Sequence, residues 1–80
     1  MEPAEEREAA KRRAGERAAE AVEDGDLVGL GTGSTAAHAI RALGRAVDAG
    51  LDVRGVATSY QSRAVARAAG VPLAGLDEVD

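Results

Sequence analysis

The chain has 80 residues, a formal net charge of -4 and no cysteine, so it has room for one small domain without a disulfide framework or a thiolate metal site. Many of its apolar residues are alanines, so the core that it can build stabilises weakly. The acidic balance argues against a nucleic-acid partner, and no apolar run is long enough to cross a membrane. The start of the chain lacks the pattern of a secretion signal, so we expect a cytoplasmic protein.

The first stretch, residues 3–23, is typical of a helix. Pro3 suits a first turn, and the acidic residues after it complement the positive end of the helix dipole. A weakly apolar face recurs at helical spacing and comprises Ala10, Ala14, Ala18, Ala21 and Val22. The turn residues Asp24-Gly25-Asp26 should end this helix.

A strand and a second helix are predicted next. Leu27–Leu30 is short, apolar and bounded by turn residues, as a buried parallel strand would be. The helix begins near Thr35, and Gly50 is its expected stop. Its apolar stripe follows the spacing i, i+4, i+7 and i+11 and comprises Ala36, Ile40, Leu43 and Val47.

The strand–helix pattern then repeats. Residues 51–57 predict a second strand, and Ser59 or Ser62 should cap a third helix that runs to Ala69. Residues 71–73 predict a third, shorter strand. Such alternation predicts an α/β fold, namely a Rossmann-like three-layer domain with a parallel sheet, of which only the first strand–helix repeats are present.

The chemical signal lies in the turn Gly29-Leu30-Gly31-Thr32-Gly33-Ser34-Thr35. Its three glycines let the backbone approach a ligand closely. Thr32, Ser34 and Thr35 stand at a helix N-terminus, where free N–H groups and the helix dipole favour an anion. Ligands of such sheets bind beyond the carboxyl ends of the strands, so Thr58 and Ser59, after the second strand, could line the same pocket. A purely structural turn is the alternative.

Two other phosphate-binding patterns fit this turn less well. Residues 31–36 satisfy G-x-G-x-x-A, but the acidic residue that a dinucleotide site wants after the second strand is replaced by Ala57-Thr58-Ser59. No Gly-Lys-Ser/Thr follows at the spacing of a triphosphate loop. The hydroxyl-rich turn therefore suits a single phosphate better.

Two further side chains invite a functional interpretation. His38 lies off the apolar stripe of its helix, which favours a solvated or partly packed side chain over an acid–base group. We expect Tyr60, the single aromatic residue, to pack over the end of the second strand rather than to stack on a ligand.

Over nearly all of its length the chain resembles ribose-5-phosphate isomerase, type A. Residues 28–36 are similar to the phosphate-binding turn of this family, and Lys11 stands on the lead helix where the family carries a lysine. Three more segments resemble, in order, the family's second-strand turn, its next helix-to-strand junction and the segment before its catalytic loop: residues 56–62, residues 69–73 and Leu76-Asp77-Glu78-Val79.

The resemblance implies an aldose–ketose isomerase that interconverts D-ribose 5-phosphate and D-ribulose 5-phosphate in the non-oxidative branch of the pentose phosphate pathway. It implies no metal and no organic cofactor. A carboxylate of the family moves a proton between C1 and C2 through an enediolate. Thr32, Gly33, Ser34 and Thr35 become substrate-binding residues, and Lys11 becomes a further phosphate contact.

No catalytic residue is expected in this chain. The family's Asp-Gly-Ala-Asp turn, its Lys-Gly-Gly-Gly stretch and its general-base glutamate would all follow Asp80. Residues 1–80 would then be the incomplete N-terminal part of a single sugar-phosphate isomerase domain, inactive alone. The expected partner is a sugar phosphate, without nucleic acid or membrane, and the full-length protein could form a homo-oligomer. A non-catalytic sugar-phosphate-binding or regulatory module and a dinucleotide-binding half-domain remain as alternatives.

Overall fold

A computed structural model describes residues 3–75 of the chain. The elements are, in order, α1 (Pro3–Glu20), β1 (Leu27–Leu30), α2 (Ser34–Asp48), β2 (Arg54–Ala57) and α3 (Tyr60–Ala69). The two strands are paired in parallel. This confirms the α/β class and the first repeats of a Rossmann-like fold. Among the described helices, none has the length and apolar character needed to cross a membrane.

β2 makes hydrogen bonds on both of its edges. One edge pairs with β1, and on the other Gly55 N–H donates to the carbonyl of Pro72 at 2.8 Å and Gly55 O accepts from Ala74 N–H at 2.8 Å. The third predicted strand, residues 71–73, is reduced to this single parallel bridge between Gly55 and Leu73. A proline inside so short a segment removes a donor from the ladder, which accounts for the reduction.

The second strand is shorter than predicted because residues 51–53 bond elsewhere. Leu51 N–H donates to the carbonyl of Ala46 at 2.9 Å, which ties this residue to the end of α2. Asp52 N–H donates to Asp24 Oδ1 at 2.8 Å, across to the loop before β1. Strand pairing begins only after these contacts.

The core lies where α2 and α3 meet the helix-covered face of the sheet. Its buried members are Leu30, Ile40, Leu43, Val53, Ala66 and Val71, which include the middle of the predicted α2 stripe. Gly44 lets α2 approach the last turn of α3, because a Cβ there would overlap the carbonyl oxygen of Ala69. Residues of both helices form one buried cluster with Leu30, so α2 and α3 lie on one face of the sheet. Strand residues alternate between faces, so Leu27, at 48% exposure, lies on the other face.

α1 packs on α2 through a different face from the predicted one. Of the predicted face, Val22 is partly buried against the core, whereas Ala10, Ala14, Ala18 and Ala21 are exposed, and the buried position of α1 is Gly15. A Cβ on Gly15 would lie within 3 Å of three atoms of α2: Ala39 N, Thr35 O and His38 Cβ. Gly15 permits a close crossing of the two helices that a larger side chain would prevent. The face of α1 that contacts α2 is therefore determined by this close backbone approach and not by the spacing of apolar residues.

A hydrogen bond and an ion pair flank this crossing. His38 Nε2 lies 2.7 Å from Glu8 Oε2, and Arg45 donates to Glu16 Oε2 at 3.2 Å. The helix ends at Glu20, three residues earlier than predicted, because the chain then turns with the Val22 N–H bonded only three residues back. These polar contacts help to attach α1 to α2 around Gly15.

Candidate functional site: two hydroxyl-rich turns at one edge of the sheet

Every serine and threonine of the chain belongs to one of two turns. One turn, residues 32–35, follows β1, and the other, residues 58–62, follows β2. The last residues of the strands, Leu30 and Ala57, are partners in the parallel register. Both turns therefore leave the sheet at the same edge, where α/β folds bind their ligands.

The N-terminus of α2 carries no side-chain cap. Its N-cap residue is Gly33, whose φ of 106° and ψ of 172° are nearly restricted to glycine. The first intrahelical bond runs from Ala37 N–H to the carbonyl of Gly33 at 2.9 Å. The N–H groups of Ser34, Thr35 and Ala36 precede that bond and have no intrahelical acceptor. Together with the helix dipole they make an open site for an anion.

α3 begins differently, because its own serines close its N-terminus. Ser59 is the N-cap, and its Oγ accepts a hydrogen bond from Ser62 N–H at 3.0 Å. Ser62 Oγ in turn accepts from Ser59 N–H at 3.0 Å and from Thr58 N–H at 3.1 Å. This is a capping box built around a serine that is only 1% exposed. The N–H groups of Ser59 and Ser62 at the start of α3 are thus bonded within the protein.

Three hydrogen bonds join the two turns. They are Thr58 Oγ1 to the carbonyl of Leu30 at 2.5 Å, Thr32 Oγ1 with Ser59 Oγ at 2.8 Å, and Gly33 N–H to Gln61 Oε1 at 3.2 Å. The structure therefore brings Thr58 and Ser59 to the glycine turn. Their hydroxyls are engaged in holding that turn, whereas those of Ser34 and Thr35 make no hydrogen bond within residues 3–75.

An open cleft of about 480 Å³ lies beside the turns and is lined by Ala57, Thr58, Ser59, Tyr60 and Arg63. Arg63 brings a cation to the cleft, and the sequence analysis did not single it out. It is one of several arginines on helical faces, and no local pattern distinguishes it. Tyr60 is 92% exposed, so the expected packing over the strand end is wrong. Tyr60 is the first residue of α3, and its side chain faces solvent instead of the sheet.

Lys11 is exposed on α1, one helical turn before Gly15, and makes no hydrogen bond or ion pair with the rest of the described chain. Its predicted phosphate contact stays a prediction. His38 is partly packed, as predicted, with 18% of its side chain exposed. Its hydrogen bond lowers the pKa of Glu8. No group of three or more metal-ligating side chains occurs within residues 3–75. Glu78 and Asp80 lie outside the described residues.

Comparison with known proteins gives one consistent result. No protein-family model matches the chain. It is 72% identical over 72 residues to ribose-5-phosphate isomerase A of Haloarcula marismortui, which covers 90% of this chain and 32% of that protein. It is 70% identical over 71 residues to the enzyme of the same name from Halorubrum lacusprofundi, which covers 89% of this chain and 30% of the relative.

Solved structures agree in fold. Ribose 5-phosphate isomerase A of Methanocaldococcus jannaschii matches with a TM-score of 0.80 at 44% identity, over 88% of this chain and 32% of that one. A D-ribose-5-phosphate isomerase in complex with phospho-erythronic acid matches with a TM-score of 0.81 at 43% identity, over 88% of this chain and 31% of that one. The chain thus spans about a third of the length of the relatives that it matches.

Proposed function

Because the chain matches the N-terminal third of type A ribose-5-phosphate isomerases over 90% of its own length, we propose that it supplies the phosphate-binding part of such an enzyme. The reaction is the interconversion of D-ribose 5-phosphate and D-ribulose 5-phosphate. Residues 1–80 are then part of one α/β sugar-phosphate isomerase domain and not a domain of their own. Both sugars carry a charged phosphate that does not cross membranes unaided, and this favours a cytoplasmic location.

One observation supports the ligand class above the others: α2 starts without a side-chain cap, whereas α3 is capped by Ser59. A phosphate monoester carries nearly two negative charges at neutral pH and offers three strong acceptor oxygens. The N–H groups of Ser34, Thr35 and Ala36 and the two free hydroxyls beside them are matching donors. The relative in complex with phospho-erythronic acid holds a phosphorylated acid, which agrees with this class of ligand.

These residues contribute to the reaction by holding the end of the sugar that does not react. Binding energy from the phosphate orients C1 and C2 against the group that moves the proton. In this proposal that group is a carboxylate, acting through an enediolate, and it is not one of residues 3–75. The part of the chain with Thr32 to Thr35 therefore positions substrate and transfers no proton.

A dinucleotide-binding half-domain is not favoured. The end of β2 is Ala57, followed by Thr58 and Ser59, with no carboxylate for a ribose hydroxyl. The hydroxyl of Thr58 carries no charge and already donates its proton to the carbonyl of Leu30. No feature of the described residues favours a regulatory module over an enzyme.

The ligand class can be tested by titrating the 15N-labelled chain in NMR experiments. We expect ribose 5-phosphate to shift the amides of residues 33–36, and ribose, which lacks the phosphate, to leave them unchanged. NAD is the control for the dinucleotide alternative. Equal shifts with ribose, or larger shifts at the β2 turn with NAD, would contradict the proposal.

The activity itself requires the chain to be extended to the full length of its relatives. In that protein, replacing Ser34 and Thr35 by alanine should raise KM for ribose 5-phosphate about tenfold or more, because each hydroxyl loses a hydrogen bond to a charged group. Unchanged KM and kcat in the double variant would contradict the proposed phosphate site, and the proposed isomerase activity would then rest on sequence similarity alone.

A further inference from the structure

The carboxamide of Gln61 occupies a donor of the candidate phosphate site. Gly33 N–H donates to Gln61 Oε1 at 3.2 Å, across 28 positions of sequence. An N–H group can bond only to an acceptor, so the oxygen of the carboxamide and not its NH₂ group faces Gly33. This N–H directly precedes the free N–H groups of Ser34 and Thr35.

A ligand phosphate would compete for the same N–H group. Successive backbone N–H groups at a glycine turn form a concave site for anions, and Gly33 is the first of this series. A neutral amide oxygen at 3.2 Å on an exposed side chain is a weaker acceptor than a phosphate oxygen with its negative charge. Exchange of Gln61 for phosphate at Gly33 is therefore favourable.

We propose that Gln61 is a positioning residue that occupies Gly33 N–H in the ligand-free protein and yields it to the phosphate. The inference rests on the function proposed above. In the ligand-free protein, the uncharged Gln61 side chain takes the place of a phosphate oxygen at Gly33 N–H and holds the turn in its binding conformation. The phosphate must break this exposed hydrogen bond, and its affinity is lowered by that amount.

The fold does not need Gln61 at this place. The N-terminus of α3 is already closed by Ser59 and Ser62, and Gln61 is exposed. Two bonds other than its own still join the turns, from Thr58 and from Thr32. Substitutions of Gln61 should therefore leave the helix and the sheet intact, which circular dichroism can check.

The test compares Gln61→Ala and Gln61→Glu with Ala68→Gln, a control at an exposed position of α3 that lies outside both the contact and the cleft. The probes are ribose 5-phosphate and inorganic phosphate, followed by the amide shifts of the 15N-labelled chain. Gln61→Ala should bind both probes about two- to fivefold more tightly, which is the net effect of removing one exposed hydrogen bond. In the absence of ligand, its Gly33 amide resonance should move upfield as the bond is lost.

Gln61→Glu should bind both probes at least about tenfold more weakly at pH 7, because a carboxylate bonds Gly33 N–H more strongly and repels the phosphate. Its affinity relative to the wild type should recover as the pH falls and the carboxylate is protonated. This ratio cancels the protonation of the phosphate itself. A helix-stabilising role of Gln61 would produce neither the tighter binding of Gln61→Ala nor this pH dependence.

Unchanged or weaker phosphate binding by Gln61→Ala, with the wild type still binding, would overturn this inference alone. If neither wild type nor variants bound ribose 5-phosphate, the proposed function and the inference would both be overturned. Ala68→Gln must match the wild type, since a change there as large as in Gln61→Ala would assign the effect to the α3 surface in general and overturn the role of Gln61.

Discussion

The backbone of Gly33 offers a direct test of the uncapped helix start. We predict that Gly33→Ala destabilises the protein and weakens phosphate binding together. Its φ of 106° and ψ of 172° are nearly closed to other residues, at a cost of about 1–3 kcal/mol for alanine. No atom lies within 4 Å of the added Cβ, so this cost comes from the backbone and not from a clash. Folded proteins have about 0.05–0.15 kcal/mol of stability per residue, or roughly 4–12 kcal/mol for 80 residues, so the loss is a large share.

Gly50→Ala is the matched control. Gly50 also has a positive φ, 114°, and open space around its Cβ, but it follows the far end of α2. Both variants should lower the free energy of unfolding, measured by urea denaturation, by similar amounts. Only Gly33→Ala should change the affinity for ribose 5-phosphate, because relief of the strain moves Gly33 N–H and the N–H groups after it.

Two results would refute this reasoning. Wild-type stability of Gly33→Ala would mean that the strained backbone is not present in solution. Equal loss of ribose 5-phosphate affinity in Gly33→Ala and Gly50→Ala, in variants that are still folded, would mean that general loosening of the protein, and not the geometry at Gly33, controls binding.

Two predictions concern the helix contacts. Gly44→Ala should lower the free energy of unfolding by about 1–3 kcal/mol in urea denaturation, because the added methyl group overlaps backbone atoms of Ala69 and outweighs the better helix propensity of alanine; equal or higher stability would contradict the close crossing. The second variant is Glu8→Gln. In the wild type the hydrogen bond from His38 lowers the pKa of Glu8 below its ordinary value of 4.5. The ionised carboxylate therefore adds stability above pH 4.5, and this stability is lost as the pH falls through the lowered pKa. The stability difference from the wild type should therefore be small, present at pH 6 and absent at pH 2, and a difference that grew towards pH 2 would contradict this linkage.

The elements that the sequence predicts well are those whose signal is local. The α2 stripe has the helical period, and Ile40 and Leu43 are buried as expected. Gly70, in the left-handed conformation, ends α3 where predicted. The hydroxyl residues after both strands lie at the same edge of the sheet, as predicted. Each of these depends on residues within one or two turns of chain.

The features that the sequence missed depend on residues that are distant along the chain. Gly15 has no unusual φ, and what requires it is the backbone of α2 some 20 or more positions away. Gly55 has the same character, because its missing Cβ leaves room for the side chain of Leu30. From the sequence, Gly15 only weakens a helix and Gly55 only weakens a strand. The bond between Gly33 and Gln61 likewise has no local pattern, since any polar side chain would fit the second position of a helix.

The hydroxyl residues of the two turns look alike in sequence, yet their hydrogen bonds divide them by role. Thr58 donates to the carbonyl of Leu30 and so fastens one turn to the other, whereas the hydroxyls of Ser34 and Thr35 have no partner in residues 3–75. Thr58→Val, which keeps the shape, should lower the free energy of unfolding by about 1 kcal/mol through the lost bond. Ser34→Ala should leave the stability nearly unchanged and weaken binding of ribose 5-phosphate. Urea denaturation and amide titration of the two variants measure both quantities, and the reverse pattern, in which Ser34→Ala unfolds the protein and Thr58→Val alone loses ligand, would show that the anion site belongs to the β2 turn instead.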